Sequence, residues 1–124
     1  MSTETETMTV QEVANRLVEL CREGQYETAQ HELLSEDVHS IEPSYIPNNE
    51  TKGLEAAIAK GKQIQSNVVE FHGGHVSDPV IAGHHFSVSM MMDVTDKEKG
   101  RMKMDEIAVY EVKEGKIVKE QFFY

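Results

Sequence analysis

The stretch RMKMDEIAVYEVKEGKIVKEQFFY, residues 101–124, decides the fold. It reads as two strands, over 101–112 and 116–124, joined by KEG, where Gly115 supplies the positive φ of a tight connection. Just upstream, VVEFHGGHVSDPVIAGHHFSVSMMMDVT gives two further β-rich runs, roughly 68–78 and 85–95, joined through Pro79 and a turn at Gly83. DKEKG is a charged hairpin turn between the second of these and the final pair. No helix has room to form between these late strands, which excludes a parallel α/β arrangement.

The helical signals all come earlier. TVQE is a capping box, with Thr9 as the cap and Glu12 reaching back. Val10, Val13, Ala14, Leu17, Val18, Leu20 and Cys21 follow at helical spacing until Gly24. A shorter helix fits Tyr26 to Leu34, and a short strand, Val38 to Glu42, is stopped by Pro43. PSYIPNNETKG reads as a loop. A third helix carries Leu54, Ala57, Ile58, Gly61 and Ile64 and ends near Asn67, with Gly61 marking a close approach to another element. Helices first and an antiparallel meander afterwards predict one α+β domain over residues 9–124, with one sheet face covered by helices and a polar, disordered tail over residues 1–8.

Composition narrows the class of function. The 124 residues suit one domain, and 12 basic against 22 acidic residues give a net charge of -10. Nucleic acid and anionic membrane need the opposite sign, so neither is an expected partner. One cysteine, Cys21, rules out an intrachain disulfide, and no window approaches 18 apolar residues. These features predict a soluble, cytoplasmic protein. GxGxxG, the phosphate-binding GxxxxGK loop and the GxSxG elbow are absent, as are HExxH and CxxC, so neither a cofactor nor a metal is predicted. What remains is chemistry that needs only an acid, a base and an enclosed cavity.

The two acids inside residues 101–112 are the candidates for that chemistry. Alternation places Met104, Glu106, Ala108, Tyr110 and Val112 on one face, and Asp105, Ile107, Val109 and Glu111 on the other. Glu106 is the single acid of an apolar set and is read as the inward carboxylate; a strand bulge would exchange it with Asp105. A carboxyl among Met, Ala, Tyr and Val loses hydration, which raises its pKa toward the range of a general base. His72 is the companion candidate, because Phe71 and the Gly73-Gly74 pair can bring its imidazole beside a cavity. On a regular strand His72 and His75 lie on opposite faces, and a bulge would reunite them. His39 and Glu42 fall where a first strand reaches the mouth of a cavity. Met90 and Met104 belong to a cluster of compliant methionines suited to an irregular apolar pocket. His72 or Tyr110 is the candidate to polarise a ligand oxygen. Cys21 reads as a small core residue.

The layout resembles the SnoaL-like domain of the nuclear-transport-factor-2-like superfamily. The resemblance rests on SEDVHSIEP, KGLEAAIAK, EFHGGHVSDPVIAGHHFSV and MDVTDKEKGRMKMDEIAVYEVKEGKIVKEQFFY, behind two N-terminal helices. It implies three helices packed in the concave face of a strongly curved mixed or antiparallel sheet, cone-shaped and cystatin-like, with a pocket at the open end. It also implies a homodimer through the outer sheet face, which accounts for apolar side chains on both faces of the late strands. Relatives include cofactor-free cyclases, isomerases, dehydratases and epoxide hydrolases, and among the cyclases a strand carboxylate acts as base and a histidine assists. Glu106 and His72 match these by location, with a small hydrophobic carbonyl compound as the implied partner. Non-catalytic binding and dimerisation modules share the fold.

Overall fold

Helix α1 (Val10–Arg22) begins where the Thr9 hydroxyl accepts a hydrogen bond from the Glu12 N–H at 3.1 Å and Glu12 Oε1 accepts one from the Thr9 N–H at 2.8 Å. Two backbone donors at the helix start are thereby satisfied reciprocally. Its stripe Val13, Ala14, Leu17, Val18, Leu20 and Cys21 is buried, and Gly24 leaves the helix at φ +74°. Thr9→Ala should cost roughly 1 kcal/mol, read as a lowered denaturation midpoint with the interior carboxylates titrating unchanged.

The computed structural model describes residues 7–124, so residues 1–6 of the expected tail lie outside the described residues. Thr7 and Met8 pass over Gly115, where an added Cβ would meet Thr7 Cγ2 at 2.5 Å. After α1 come α2 (Tyr26–Leu33), β1 (Leu34–Ile41), β2 (Glu50–Lys52), α3 (Leu54–Ser66), β3 (Val68–Val76), β4 (Val80–Ala82), β5 (His85–Asp96), β6 (Gly100–Lys113) and β7 (Lys116–Phe123). The strands form one sheet in the order β2-β1-β7-β6-β5-β3, with β4 paired to the start of β5. All pairs are antiparallel except β1–β7, which is parallel.

Three local differences from the sequence reading share one cause. β1 starts at Leu34 rather than Val38, and β2 and β4 form in segments read as loop and turn. Each is fixed by pairing with a distant or longer strand: Leu34 with Ile117, Thr51 with Ser40, Ile81 with Phe86. Three-residue strands carry too little alternation to be seen alone.

Bulges bend the sheet. Register shifts occur between Leu34 and His39, Val68 and Glu70, Phe71 and Gly73, and Glu111 and Val112. The concave face presents Phe86, Val88, Ala108, Tyr110, Val112 and Ile117 to the three helices, and all are buried. Gly61 of α3 faces Gln30 of α2, where a Cβ would stand 3.2 Å from Gln30 Oε1, and Gln30 Nε2 donates to the Ala57 carbonyl at 3.2 Å. That close approach holds α3 against the hairpin of α1 and α2 and leaves its Lys60 over the inner face of β1.

Candidate functional site

The register of β5 against β6 lays out the concave face in rows. Phe86 lies opposite Tyr110, Val88 opposite Ala108, Met90 opposite Glu106 and Met92 opposite Met104. The first two rows are buried and the next two are half-buried, so Glu106 stands where the core gives way to the open end of the cone. No hydrogen bond to its carboxyl is found among the described residues. Burial pushes the Glu106 carboxyl up to about 7, the charges of Glu42 and Glu120 push the same way, and Lys60 opposes them. Its charge is felt in turn by Cys21, whose thiol burial raises to about 12, and by the hydroxyls of Tyr26, Tyr110 and Tyr124.

A polar network borders this carboxyl. Ser40 and Glu120 are register partners on β1 and β7, and the buried Ser40 hydroxyl donates to Glu120 Oε2 at 2.9 Å. Burial raises Glu120 as well, partly offset by the Ser40 hydrogen bond and by Lys60. Lys60 Nζ donates to Glu42 Oε2 at 3.1 Å and to Ser40 Oγ at 3.3 Å. The Tyr124 hydroxyl donates to Glu42 Oε1 at 2.6 Å, and the Tyr45 hydroxyl donates to the Tyr124 carbonyl oxygen at 2.6 Å. A cleft of about 400 Å³ opens between the loop after β1 and α3, lined by Glu42, Ile46, Asn48, Lys60, Ile64 and Tyr124. One ammonium is therefore hydrogen-bonded to a single carboxylate, that of Glu42, and acts on Glu106 and Glu120 through its charge, beside a cleft with apolar and amide walls.

The candidates from the sequence separate into two faces. Glu106, Glu42, Met90 and Met104 share the concave side, as alternation requires. Asp105 lies on the outer face opposite Met91, and His39 points outward to Glu50, with Nε2 2.7 Å from Oε1. Tyr110 is fully buried rather than presented to a ligand, stacked on Phe86 at 4.8 Å between ring centroids. His72 is not brought to Glu106. It is the extra residue of the bulge between Phe71 and Gly73, which turns it to the outer face with Thr95, 2.7 Å from Nε2, and Glu70, 3.7 Å from Nδ1. The bulge does put His72 and His75 on one face, and that face is the outer one. There a groove of about 420 Å³ is lined by His75, Ser89, Met91, Asp105, Ile107 and Phe123, together with Met90 and Glu106. Among the described residues no group of three or more His, Cys, Asp or Glu side chains is placed to hold a metal ion, and no helix is long and apolar enough to cross a membrane.

Glu120, Lys60, Ser40 and Tyr124 were not singled out from the sequence. Glu120 carries the signal that picked out Glu106: one acid in the set Val118, Glu120, Phe122 and Tyr124. Lys60 carries none, because KGK on a helix reads as a solvated face.

The sequence model of the SnoaL-like domain matches residues 8–124. The chain belongs to the SnoaL-like domain family. This SnoaL-like domain is 37% identical to a protein from Mesorhizobium loti provisionally named a SnoaL-like polyketide cyclase, whose crystal structure superposes with a TM-score of 0.89 over 94% of this chain and 100% of that one. More distant structures share the fold alone. An NTF2-like protein of unknown function from Burkholderia pseudomallei superposes with a TM-score of 0.76 at 14% identity, over 94% of this chain and 92% of that one. A protein with a ketosteroid isomerase-like fold from Catenulispora acidiphila, in complex with trimethylamine, superposes with a TM-score of 0.68 at 12% identity, over 91% and 85%. No curated protein matches the sequence. Three helices and a mostly antiparallel, curved, unclosed sheet of seven strands are the architecture implied by the resemblance.

Proposed function

We propose that this SnoaL-like domain takes a small hydrophobic carbonyl compound into the open end of its cone and transfers a proton with Glu106, as a cofactor-free isomerase, cyclase or lyase. The observation that carries the reading is the place of the Glu106 carboxyl, half-buried on the concave face opposite Met90 with no hydrogen-bonding partner among the described residues, where burial pushes its pKa up to about 7. A structural carboxylate is normally paired, because an unpaired buried acid destabilises the fold. An acid with a pKa near the working pH exchanges protons with a carbon acid most effectively. Resemblance to the Mesorhizobium loti protein supports the same class of chemistry.

The test is a panel of small hydrophobic ketones incubated in deuterated water and followed by proton NMR, alongside native mass spectrometry of co-purified ligand. Deuterium incorporation next to the carbonyl, above buffer, is expected for the ligands that bind. Saturable binding without exchange across the panel would assign a non-catalytic binding module instead.

We further propose that the outer sheet face pairs two copies. Ile107 and Phe123 are 52% and 50% exposed there although they are neighbours across β6 and β7. Apolar patches of that kind mark contact surfaces. Ile107→Asp should convert a dimer to a 14.0 kDa monomer in sedimentation. A wild-type chain that sediments as a monomer at all concentrations would overturn the pairing.

A further inference from the structure

Half of β6 is paired on one side only. β5 runs beside it from Gly100 to Glu111 without a register shift, whereas β7 joins it only from Ile107 onward, where Phe123 lies opposite. Residues 100–106 therefore present a free edge on the β7 side, and among the described residues no hydrogen bond closes it. A row of unpaired N–H and C=O groups is a template for another strand. The other edges of the sheet are guarded: β2 is three residues long, and β3 carries two bulges and is backed by α1 and α3. The β6 edge has no bulge and no proline. Arg101, Lys103 and Asp105 are exposed on its outer face, and Met102 and Met104 are half-buried on its inner face.

Two stops set the length of strand that fits this edge. Gly100, at φ +78°, turns the chain back toward β5, and Phe123 occupies the edge at Ile107. The span between the stops is centred on Lys103. A second copy of the same segment, laid antiparallel with a two-fold axis at Lys103, sets Arg101 opposite the partner's Asp105, twice over, and Met102 opposite the partner's Met104. The charges suit this register. Arg101 gives its Nε and Nη2 donors to Asp93 at 3.1 and 3.0 Å, which leaves Nη1 without an acceptor among the described residues. Asp105 has no ion-pair or hydrogen-bond partner among them. A slip of two residues would set Arg101 against the partner's Ile107, where β7 already lies, or against the partner's Lys103. A slip of one would oppose outer to inner side chains.

We propose that residues 101–105 of β6 join a second copy of this chain edge to edge, antiparallel about Lys103, so that the sheet of one molecule continues into that of the next. This contact is separate from the outer-face pairing proposed above and does not rest on it. Five residues from each copy bury less area than a stable interface needs, so the joint fills only in concentrated protein. Its one mismatch is Lys103 against the partner's Lys103. Asp93, the register partner of Lys103 on β5, flanks that pair in each copy and offsets part of the repulsion. The mismatch makes the joint reversible, where an edge of unlike charges alone would hold.

The test is oxidative crosslinking of full-length chains in concentrated solution. The single native thiol, Cys21, is buried and stays in place. Residues opposed across an antiparallel pair have the spacing of a disulfide, so Lys103→Cys should give a species of twice the 14.0 kDa chain mass on a non-reducing gel. Arg101→Cys and Asp105→Cys should each crosslink poorly alone and readily when mixed. Lys103→Thr, which removes the central repulsion, should tighten self-association roughly 2–5-fold in concentration-dependent sedimentation. Crosslinking of Lys103→Cys no faster than that of Asp105→Cys alone, no gain on mixing, or association in Lys103→Thr no tighter than in wild type would each overturn the assignment. The two contacts between copies are told apart by adding Ile107→Asp to Lys103→Cys. Crosslinking is expected to persist in that protein, and its loss would assign the contact to the outer face and overturn the edge.

Discussion

Glu106→Gln is expected to slow deuterium exchange into a bound ketone at least ~10²-fold, and at the same time to raise the stability of the fold above neutral pH. The two effects have one origin. Burial lifts the carboxyl from 4.5 to about 7, so between those values the folded chain holds a proton that the unfolded chain has released. Stability therefore falls as pH rises through that window, and the loss is complete above about pH 7. At about 1.4 kcal/mol per pH unit the charge costs on the order of 3–4 kcal/mol, which an amide of the same shape avoids. Denaturation midpoints at acid and alkaline pH measure the second effect, and exchange measures the first. A variant that exchanges at the wild-type rate would remove Glu106 from the chemistry, and one equally stable to wild type at every pH would mean that its carboxyl is hydrated.

The second large effect is on the floor of the site. Phe86 is 2% exposed and stacks on Tyr110 at 4.8 Å; Tyr110 meets Phe122 edge-on at 6.5 Å; and Lys60 stands over Phe122. Phe86→Ala should cost about 3–5 kcal/mol in denaturant unfolding, because such a site cannot collapse around the missing ring. It should also move the Glu106 titration, followed by carbon NMR of its labelled carboxyl, down toward the ordinary carboxylate range as water enters the core. Phe86→Leu should recover more than half of the stability. A loss below 1 kcal/mol for Phe86→Ala would show that the aromatic row is not what keeps the interior dry.

Alternation in residues 101–112 was enough to choose Glu106 over Asp105, because no bulge interrupts β6 against β5 at that point. The late antiparallel strands and the cap of α1 were legible for the same reason: each is written within a few consecutive residues. His72 was misjudged because its orientation is set by a bulge, which depends on how β3 meets β5 and not on β3 alone. Tyr110 was legible as inward-facing, but its depth was not. Depth depends on Phe86 and Phe122, which reach it from two other strands. Lys60 was invisible, since a lysine on a helix reads as solvated until the helix is laid over β1.

The bonds that close the site span the chain. Ser40 meets Glu120 across 80 residues and Glu42 meets Tyr124 across 82, through the one parallel pairing in the sheet. Closing loops of this length costs more chain entropy than closing a hairpin. Until they close, Glu106 sits on a hairpin that water can reach, as an ordinary carboxylate. Its unusual proton affinity is then acquired only when the two ends of the fold are sewn together, so the titration of one side chain reports whether the whole cone has been completed.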